Sequence, residues 1–241
     1  MGGGDVPMRE KVKMLESALN AQREIIARHI DKPVETIPQA FTPYKEVLEI
    51  YSNGLELPDD VTIIWADDNF GYMKRLSGPQ EQKRSGRAGV YYHISYLGVP
   101  HSYLWYSTTP PALMYEELRK AYDATADRIW LLNAGDIKSC EFAVDYFLTM
   151  AFDIDAFNFE RAANYRTEWL CGMLGDQYRN EYQDVVNSFY KLAFARKPEF
   201  MGWGYQWTTD KHGRERNTDT DFSLTNYREV DNRLNEYRRI G

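Results

Sequence analysis

The sequence predicts an α/β fold built on short parallel strands, followed by a helical region. Three apolar runs, at 61–65, 90–92 and 129–132, end abruptly in polar residues. The polar residues that follow them are Asp67, Asp68, Asn69, His93, Tyr96, Asn133 and Asp136. Continuous apolar runs are typical of strands covered on both faces. Because (β/α) barrels and open α/β sheets place active sites at the carboxyl ends of their strands, this repetition favours an enzyme.

Two helices are predicted before the first strand. Apolar residues recur at helical spacing from about residue 9 to 29, and the segment 31–33 ends that helix. The segment 36–39 is a short strand candidate, weakened by its proline. Pro43 is expected to open a second helix, because a proline in the first turn loses no helical hydrogen bond. Turn residues at 58–60 then lead into the strand at 61.

Strand and helix alternate up to about residue 153. The polar segment 74–88 follows the first strand and is a candidate lid or substrate-contact loop. Helices are predicted near 112–124 and 139–151, on either side of the strand at 129–132. This gives at most four strand–helix units, whereas a closed barrel needs eight.

The pattern changes after Asp153. Residues 155–196 are predicted to be helical throughout, and a long loop follows at 203–221. Ser223 is placed to cap a final helix from about 224 to 238. The sequence therefore predicts two domains, a strand–helix domain at 1–153 and a helical domain at 154–241.

Composition restricts the function classes. The 241 residues carry a net charge of −7 without a long basic run, which argues against nucleic-acid binding. A few local cations would still suffice to hold a small anion. Aromatic residues make up 15% of the chain, and their flat faces suit sugar rings as well as protein cores. Cys140 and Cys171 show no metal-ligand spacing and are predicted to be buried thiols.

The chain shows neither a membrane span nor a signal peptide. No apolar run approaches the roughly 20 residues of a span, and the first residues lead directly into charged, helix-forming sequence. The protein is thus expected to be cytoplasmic, or else Met1 is not the natural start of the mature protein.

Each candidate site residue also has a plainer interpretation. Glu46 near a helix start would complement the helix dipole, and Asp67 and Asp68 would hydrogen-bond their own loop. His93 would be a packing residue, and Asn133 would close a strand end. A divalent metal held by Asp67, Asp68 and His93 is a further alternative, disfavoured because no second histidine lies at ligand spacing.

Four segments carry a family resemblance in order and spacing: 44–47, 61–72, 89–98 and 133–138. They resemble glycoside hydrolase family 115, whose members are xylan α-1,2-(4-O-methyl)glucuronidases. The resemblance implies an inverting hydrolase with a TIM-like (β/α) barrel followed by a helical domain, and no cofactor or metal. It also implies that this chain is an internal fragment, covering part of the barrel in 1–153.

The resemblance assigns seven site residues. Glu46 is implied as the acid and Asp5 as the base or water-positioning carboxylate, about 6.5–9.5 Å apart for an inverting enzyme. The residues implied to bind substrate are Tyr44, Asn69, His93, Tyr96 and Asn133. Met1 stands where the family motif has an arginine, which would clamp a uronate carboxylate. Without that arginine and the first strands, the fragment alone is expected to be inactive.

Two other classes of function stay open from the sequence. Half a barrel leaves open strand edges, so the fragment could be an inert structural or sugar-binding module. Another uronate-active barrel with a different linkage preference is the second alternative. The implied partner is glucuronoxylan or a decorated xylo-oligosaccharide, with no nucleic acid and no membrane. A homodimer of the full-length protein is left open, and a periplasmic or secreted location is expected for it.

Overall fold

The structure, a computed structural model, describes residues 6–202, 208–209, 215–216, 222 and 230–240. The chain forms two compact units by its internal contacts. The first unit comprises Met1–Asp67, Met73–Tyr91 and Lys120–Leu131. The second comprises Asp68–Tyr72, Tyr92–Arg119 and Leu132–Gly241.

Helices and short strands alternate along the described chain. The helices are α1 (Met8–His29), α2 (Glu46–Ser52), α3 (Pro111–Asp123), α4 (Ile137–Phe152), α5 (Phe159–Leu174), α6 (Arg179–Ala195) and α7 (Val230–Ile240). The strands are β1 (Ala40–Phe41), β2 (Thr62–Ala66), β3 (Ala88–His93), β4 (Trp130–Asn133), β5 (Thr208–Thr209) and β6 (Glu215–Arg216). Short 3₁₀ turns lie at Val34–Thr36, Glu81–Lys83, Ile154–Ala156, Asp176–Tyr178 and Pro198–Met201.

The main sheet has four strands in the order β1-β2-β3-β4. The β1–β2 and β2–β3 pairs are parallel, with Ile63 opposite Ala88 in the second pair. Between β3 and β4, the N–H of Val90 donates to the carbonyl of Ile129 at 2.9 Å, and the N–H of Ile94 donates to that of Asn133 at 3.1 Å. These bonds advance along both strands in the same direction, so the predicted parallel and adjacent strands are confirmed.

The strands differ in burial. In β2 every residue but the last is buried, and in β3 only Tyr91 is partly exposed. These runs are rich in Ile, Val and aromatic residues, as expected for a covered parallel strand. The strand β4 differs, because none of its residues is fully buried and Leu131 is 43% exposed. The expectation of burial from the apolar run at 129–132 was therefore wrong, since β4 lies at the end of the sheet order.

The first unit buries one face of α1. Val12 lies in an apolar cluster with Phe41, Leu55 and Val61, and residues of α2 pack against this cluster. The helical spacing of the apolar residues of α1 puts them on this face. At the far end of α1, the guanidinium of Arg23 donates to both carboxylate oxygens of Asp60, at 2.8 and 3.0 Å.

The second unit has an aromatic core around α4. Tyr146 and Phe147 are fully buried, and the hydroxyl of Tyr146 donates to the carbonyl of Pro111 at 3.0 Å. The helix α5 begins at a capping residue, since the side chain of Asn158 accepts the N–H of Arg161 at 2.8 Å. Gly175 ends the same helix with φ of 96°, a value that favours glycine.

Two predictions for the residues before β2 gave the wrong position for an element. The segment 36–39 is not a strand, because Pro38 has no N–H for a ladder, and β1 forms at 40–41 instead. Pro43 does not open a helix either. The helix α2 begins at Glu46, after Lys45 takes a φ of 52° that no helix contains.

The region after residue 153 is helical but interrupted. The segment 155–196, predicted to be helical throughout, divides into α5 and α6 around Gly175. The final helix is α7, and the predicted cap Ser223 lies outside the described residues. The boundary between the predicted domains 1–153 and 154–241 stays a prediction. No described helix combines the length and apolar character needed to cross a membrane.

Candidate active site

A tight loop follows β2 in the second unit, and Asp68 holds it. One carboxylate oxygen of Asp68 accepts the N–H groups of Phe70 and Tyr72, at 3.0 and 3.2 Å. Asn69 and Gly71 both have positive φ, 73° and 95°. An Asp that binds its own loop backbone supports the plainer interpretation of Asp68, and the loop it fixes presents Asn69.

Tyr103 connects this loop to the end of β3. Its hydroxyl donates to the carbonyl of Asn69 at 2.6 Å and lies 3.3 Å from that of His93. The rings of His93 and Tyr96 meet edge to face with centroids 5.7 Å apart. Phe70 packs edge to face against Tyr96 at 5.8 Å. These aromatic contacts gather three of the predicted binding residues in the second unit.

The end of β4 joins the same group. The carbonyl of Asn133 accepts from Ile94, the residue after His93, and the N–H of Gly135 donates to Ser95 Oγ at 2.6 Å. Asn69, His93, Tyr96 and Asn133 thus lie together in the second unit. His93 is 1% exposed, which also fits a histidine satisfied inside the protein, so its part in substrate binding stays a prediction.

The first unit holds the two remaining described residues of the predicted site. The ring of Tyr44 lies edge to face against Tyr91 of β3 at 6.0 Å. Glu46 is the first residue of α2 and is exposed, and its role as the acid stays a prediction. Lys45 stands between them with φ of 52° and ψ of −124°, a strained conformation for a residue with a side chain.

Two further predictions concern carboxylates. Asp5, the predicted base, lies outside the described residues, so the separation of the two catalytic carboxyls stays a prediction. Asp67 is buried, and its N–H donates to the carbonyl of Tyr91 at 3.2 Å. Among the described residues no group of three His, Cys, Asp or Glu side chains is placed to hold a metal ion.

The predicted lid at 74–88 is fastened within the first unit. Glu81 accepts hydrogen bonds from Arg75 at 2.6 Å, from the N–H of Gly78 at 2.6 Å and from the hydroxyl of Tyr51 at 2.7 Å. Burial opposes ionisation of Glu81, but these hydrogen bonds outweigh it and hold the pKa of its carboxyl below the ordinary value. Burial and the same carboxylate raise the pKa of Tyr51 to about 12.

Sequence reasoning missed a cavity of about 390 Å³ in the second unit. Phe70 and Tyr72, on either side of Gly71, line it together with Lys197 and Phe200. The sequence offered one signal for it, the basic pair at 196–197, which lies between the end of the predicted helical segment and a proline. The contacts across the cavity join segments far apart in the chain and could not be predicted from local spacing.

Comparisons with known proteins agree on one family. Residues 1–200 match the family described as glycosyl hydrolase family 115. The structure is similar to that of a family GH115 4-O-methyl-alpha-glucuronidase with specificity for decorated arabinogalactans, at 38% sequence identity and a TM-score of 0.89. That likeness covers 99% of this chain and 31% of the other, so this chain spans about a third of its relative's length. No curated protein sequence matches.

Proposed function

The chain belongs to glycosyl hydrolase family 115, and from that premise we propose that the protein containing it is an α-glucuronidase. It would release α-1,2-linked glucuronic acid, or its 4-O-methyl ether, from a decorated polysaccharide. The observation that carries the proposal is the gathering of Asn69, His93, Tyr96 and Asn133 in the second unit, around the ends of parallel strands. Amide, imidazole and phenol groups at strand ends suit the hydroxyls of a sugar.

The proposed mechanism is inversion with an acid and a base. Glu46 would protonate the leaving glycosidic oxygen, and Asp5 would activate water on the opposite face of the sugar. Glu46 is exposed at the start of α2, where a substrate can reach its carboxyl, and it directly follows the strained Lys45. A backbone held in an unfavourable conformation beside a proposed catalytic group is typical of active sites.

Two polysaccharides compete as the natural substrate. The family resemblance favours glucuronoxylan, whereas the similar solved enzyme has specificity for decorated arabinogalactans. Tyr44, which is partly exposed, would stack or hydrogen-bond on either sugar backbone. Because both polysaccharides are found outside cells, we propose a periplasmic or secreted location for the full-length protein.

Product analysis tests the proposal directly. The full-length protein and this 241-residue chain would each be incubated with 4-O-methylglucuronoxylan and with a glucuronic-acid-decorated arabinogalactan. We expect the full-length protein to release a uronic acid of inverted anomeric configuration from at least one of them, as seen by NMR. We expect no turnover from the chain alone. No uronic acid from either substrate, or a retained configuration, would contradict the proposal.

A further inference from the structure

Tyr103 is a fully buried residue of the second unit that contacts three of the predicted binding residues. Its hydroxyl donates to the carbonyl of Asn69 at 2.6 Å and lies 3.3 Å from that of His93. Its backbone N–H and carbonyl each form a hydrogen bond of 2.9 Å with the backbone of Tyr96. Tyr103 therefore joins the loop after β2, the end of β3 and the segment that follows β3.

The hydroxyl of Tyr103 bears directly on the position of Asn69. A phenol has one proton, so the shorter contact, to the carbonyl of Asn69, is its hydrogen bond. Asn69 has a φ of 73°, an unfavourable conformation that persists only where neighbouring groups hold it. Asp68 accepts two N–H groups later in the loop, and the hydroxyl of Tyr92 donates to the carbonyl of Gly71 at 2.9 Å. Those bonds fix the loop on the far side of Asn69, whereas Tyr103 fixes Asn69 itself.

The ring of Tyr103 is held by its neighbours. It packs against Phe70 with centroids 5.6 Å apart and against Phe200 with centroids 6.4 Å apart. The ammonium of Lys197 lies 4.4 Å from the ring centre and donates to Thr108 Oγ1 at 2.8 Å. Packed aromatic rings and a cation over the ring both restrict its movement. The ring therefore keeps the hydroxyl of Tyr103 at one place beside the loop.

We propose that Tyr103 is a positioning residue for substrate binding, whose hydroxyl holds Asn69 and whose backbone holds Tyr96 in the arrangement that meets the sugar. Because Tyr103 is fully buried, it acts through these residues and not by contact with the sugar. The inference rests on the proposed function, in which the gathered residues bind the substrate.

Two variants of the full-length protein make the same chemical change at different places. Tyr103→Phe keeps the ring and the backbone and removes only the hydroxyl. Tyr146→Phe is the matched control, because Tyr146 is also fully buried in the second unit and its hydroxyl donates to the carbonyl of Pro111 at 3.0 Å. Each variant loses one buried hydrogen bond, so we expect similar falls in melting temperature. A purely structural role of Tyr103 would make the two variants alike in every other assay as well.

Steady-state kinetics of uronic-acid release measure the effect on binding. We expect Tyr103→Phe to raise KM about tenfold and to leave kcat within about twofold, because a misplaced Asn69 loses about one hydrogen bond to the sugar in both ground and transition states. Tyr146→Phe should keep the wild-type KM. An unchanged KM in Tyr103→Phe, or an equal rise in the two variants, would overturn the proposal.

A double-mutant cycle tests whether Tyr103 acts through Asn69. In the background of Asn69→Ala, the further change Tyr103→Phe should raise KM by less than about threefold, since the group that the hydroxyl positions is already gone. Effects that multiply in the double variant would show that the two residues act independently, and the positioning role would then be wrong.

Hydrogen–deuterium exchange of the full-length protein separates the positioning role from the activity. The N–H groups of Phe70 and Tyr72, which Asp68 accepts, report on the loop. Tyr103→Phe should speed their exchange by at least about tenfold, and Tyr146→Phe should not. Faster exchange in a protein that releases no uronic acid would refute the proposed function and keep the positioning role. An active enzyme in which Tyr103→Phe keeps the wild-type exchange and KM would refute the positioning role and keep the activity.

Discussion

Glu46 and Glu49 occupy the first turn of α2, and both side chains are exposed. Each is a negative charge at a helix start and would stabilise the helix by about 0.3–1 kcal/mol through its interaction with the helix dipole. Only Glu46 follows the strained Lys45, and only Glu46 is proposed to donate a proton to the leaving oxygen. The pair therefore distinguishes the catalytic interpretation of Glu46 from the plainer one.

We predict that Glu46→Gln in the full-length enzyme lowers kcat on natural polysaccharide by about 10²- to 10⁴-fold, the usual contribution of a general acid. Substrates with good leaving groups should lose much less, because they need little protonation. Glu49→Gln is the control and should keep the wild-type kcat. Steady-state rates of uronic-acid release measure both variants, and equal losses in the two would leave only a helix-dipole effect.

The site residues differ in how far sequence could predict them. The local pattern predicted that Asn69 and Asn133 lie at strand ends. The structure places Asn133 at the end of β4 and Asn69 in the loop that follows β2, because the residues that end a strand belong to the same short segment as the strand itself. Lys197 was missed, since Thr108, its hydrogen-bond partner, lies 89 residues away. The periodicity of a local segment carries no information about a contact between residues so far apart in the chain. The burial of His93 likewise depends on its neighbours in space and not on its neighbours in the chain.

At the scale of elements, the carboxylate of Glu81 is one of the anchors of the loop 74–88, beside Arg84, whose guanidinium donates to the carbonyl of Pro58 at 2.6 Å. Glu81 receives hydrogen bonds from a guanidinium, a backbone N–H and a phenol, and together these hold its pKa below the ordinary 4.5. A lowered folded-state pKa contributes stability above the unfolded-state pKa, and that stability is lost as pH falls through the folded-state value. Acid should therefore weaken this anchor of the loop.

We predict that Glu81→Gln lowers the free energy of unfolding by about 1–3 kcal/mol at neutral pH, because charge-assisted bonds are lost. The deficit should shrink as pH falls below the ordinary 4.5, where the wild-type carboxylate also becomes protonated. Urea unfolding at several pH values measures this. Glu35→Gln, at an exposed glutamate, should show no deficit at any pH. A deficit for Glu81→Gln that does not vary with pH would argue against the linkage.

The contact between β3 and β4 depends on a glycine. A Cβ at Gly89 would overlap the carbonyl oxygen of Ile129, which is backbone and cannot yield as a side chain would. A Cβ at Gly172, inside α5, would meet nothing within 4 Å. Sequence places both glycines inside regular elements, so only the tertiary contact tells them apart.

We predict opposite effects for the same chemical change at these positions. Gly89→Ala should destabilise the protein by roughly 3 kcal/mol through overpacking against backbone. Gly172→Ala should stabilise it by up to about 1 kcal/mol, because alanine is the better helix former. Thermal and urea unfolding of the two variants provide the measurement. A tolerated Gly89→Ala would mean that the β3–β4 pairing is looser than the structure shows.

For the molecule as a whole, the exposed end of the sheet and the low net charge near pH 5.2 should both favour self-association. The strand β4 ends the sheet order with Leu131 43% exposed, and the sequence pI is about 5.2. A sheet edge can pair with another chain, and loss of net charge removes the repulsion that prevents it. The sequence predicted parallel strands, but exposure of β4 followed only from its place in the sheet.

We predict that the chain self-associates most strongly near pH 5.2 and that Leu131→Lys suppresses this association more than Leu148→Lys does. Both changes add one charge to an exposed leucine, and Leu148 is 56% exposed on the helix α4. A lysine on an edge strand blocks pairing specifically. Light scattering against pH measures the association, and equal suppression by the two variants would point to charge alone.

The conformation of Lys45 has a consequence for the evolution of this protein. With φ of 52° and ψ of −124°, the position would be occupied at lower cost by glycine, by about 1–3 kcal/mol. Drift under selection for stability alone would therefore replace this lysine. A lysine would be retained here among related proteins only where selection for another property, such as the placing of Tyr44 and Glu46, outweighs that cost. Position 45 is thus a place where the history of the protein can reveal a trade between stability and activity.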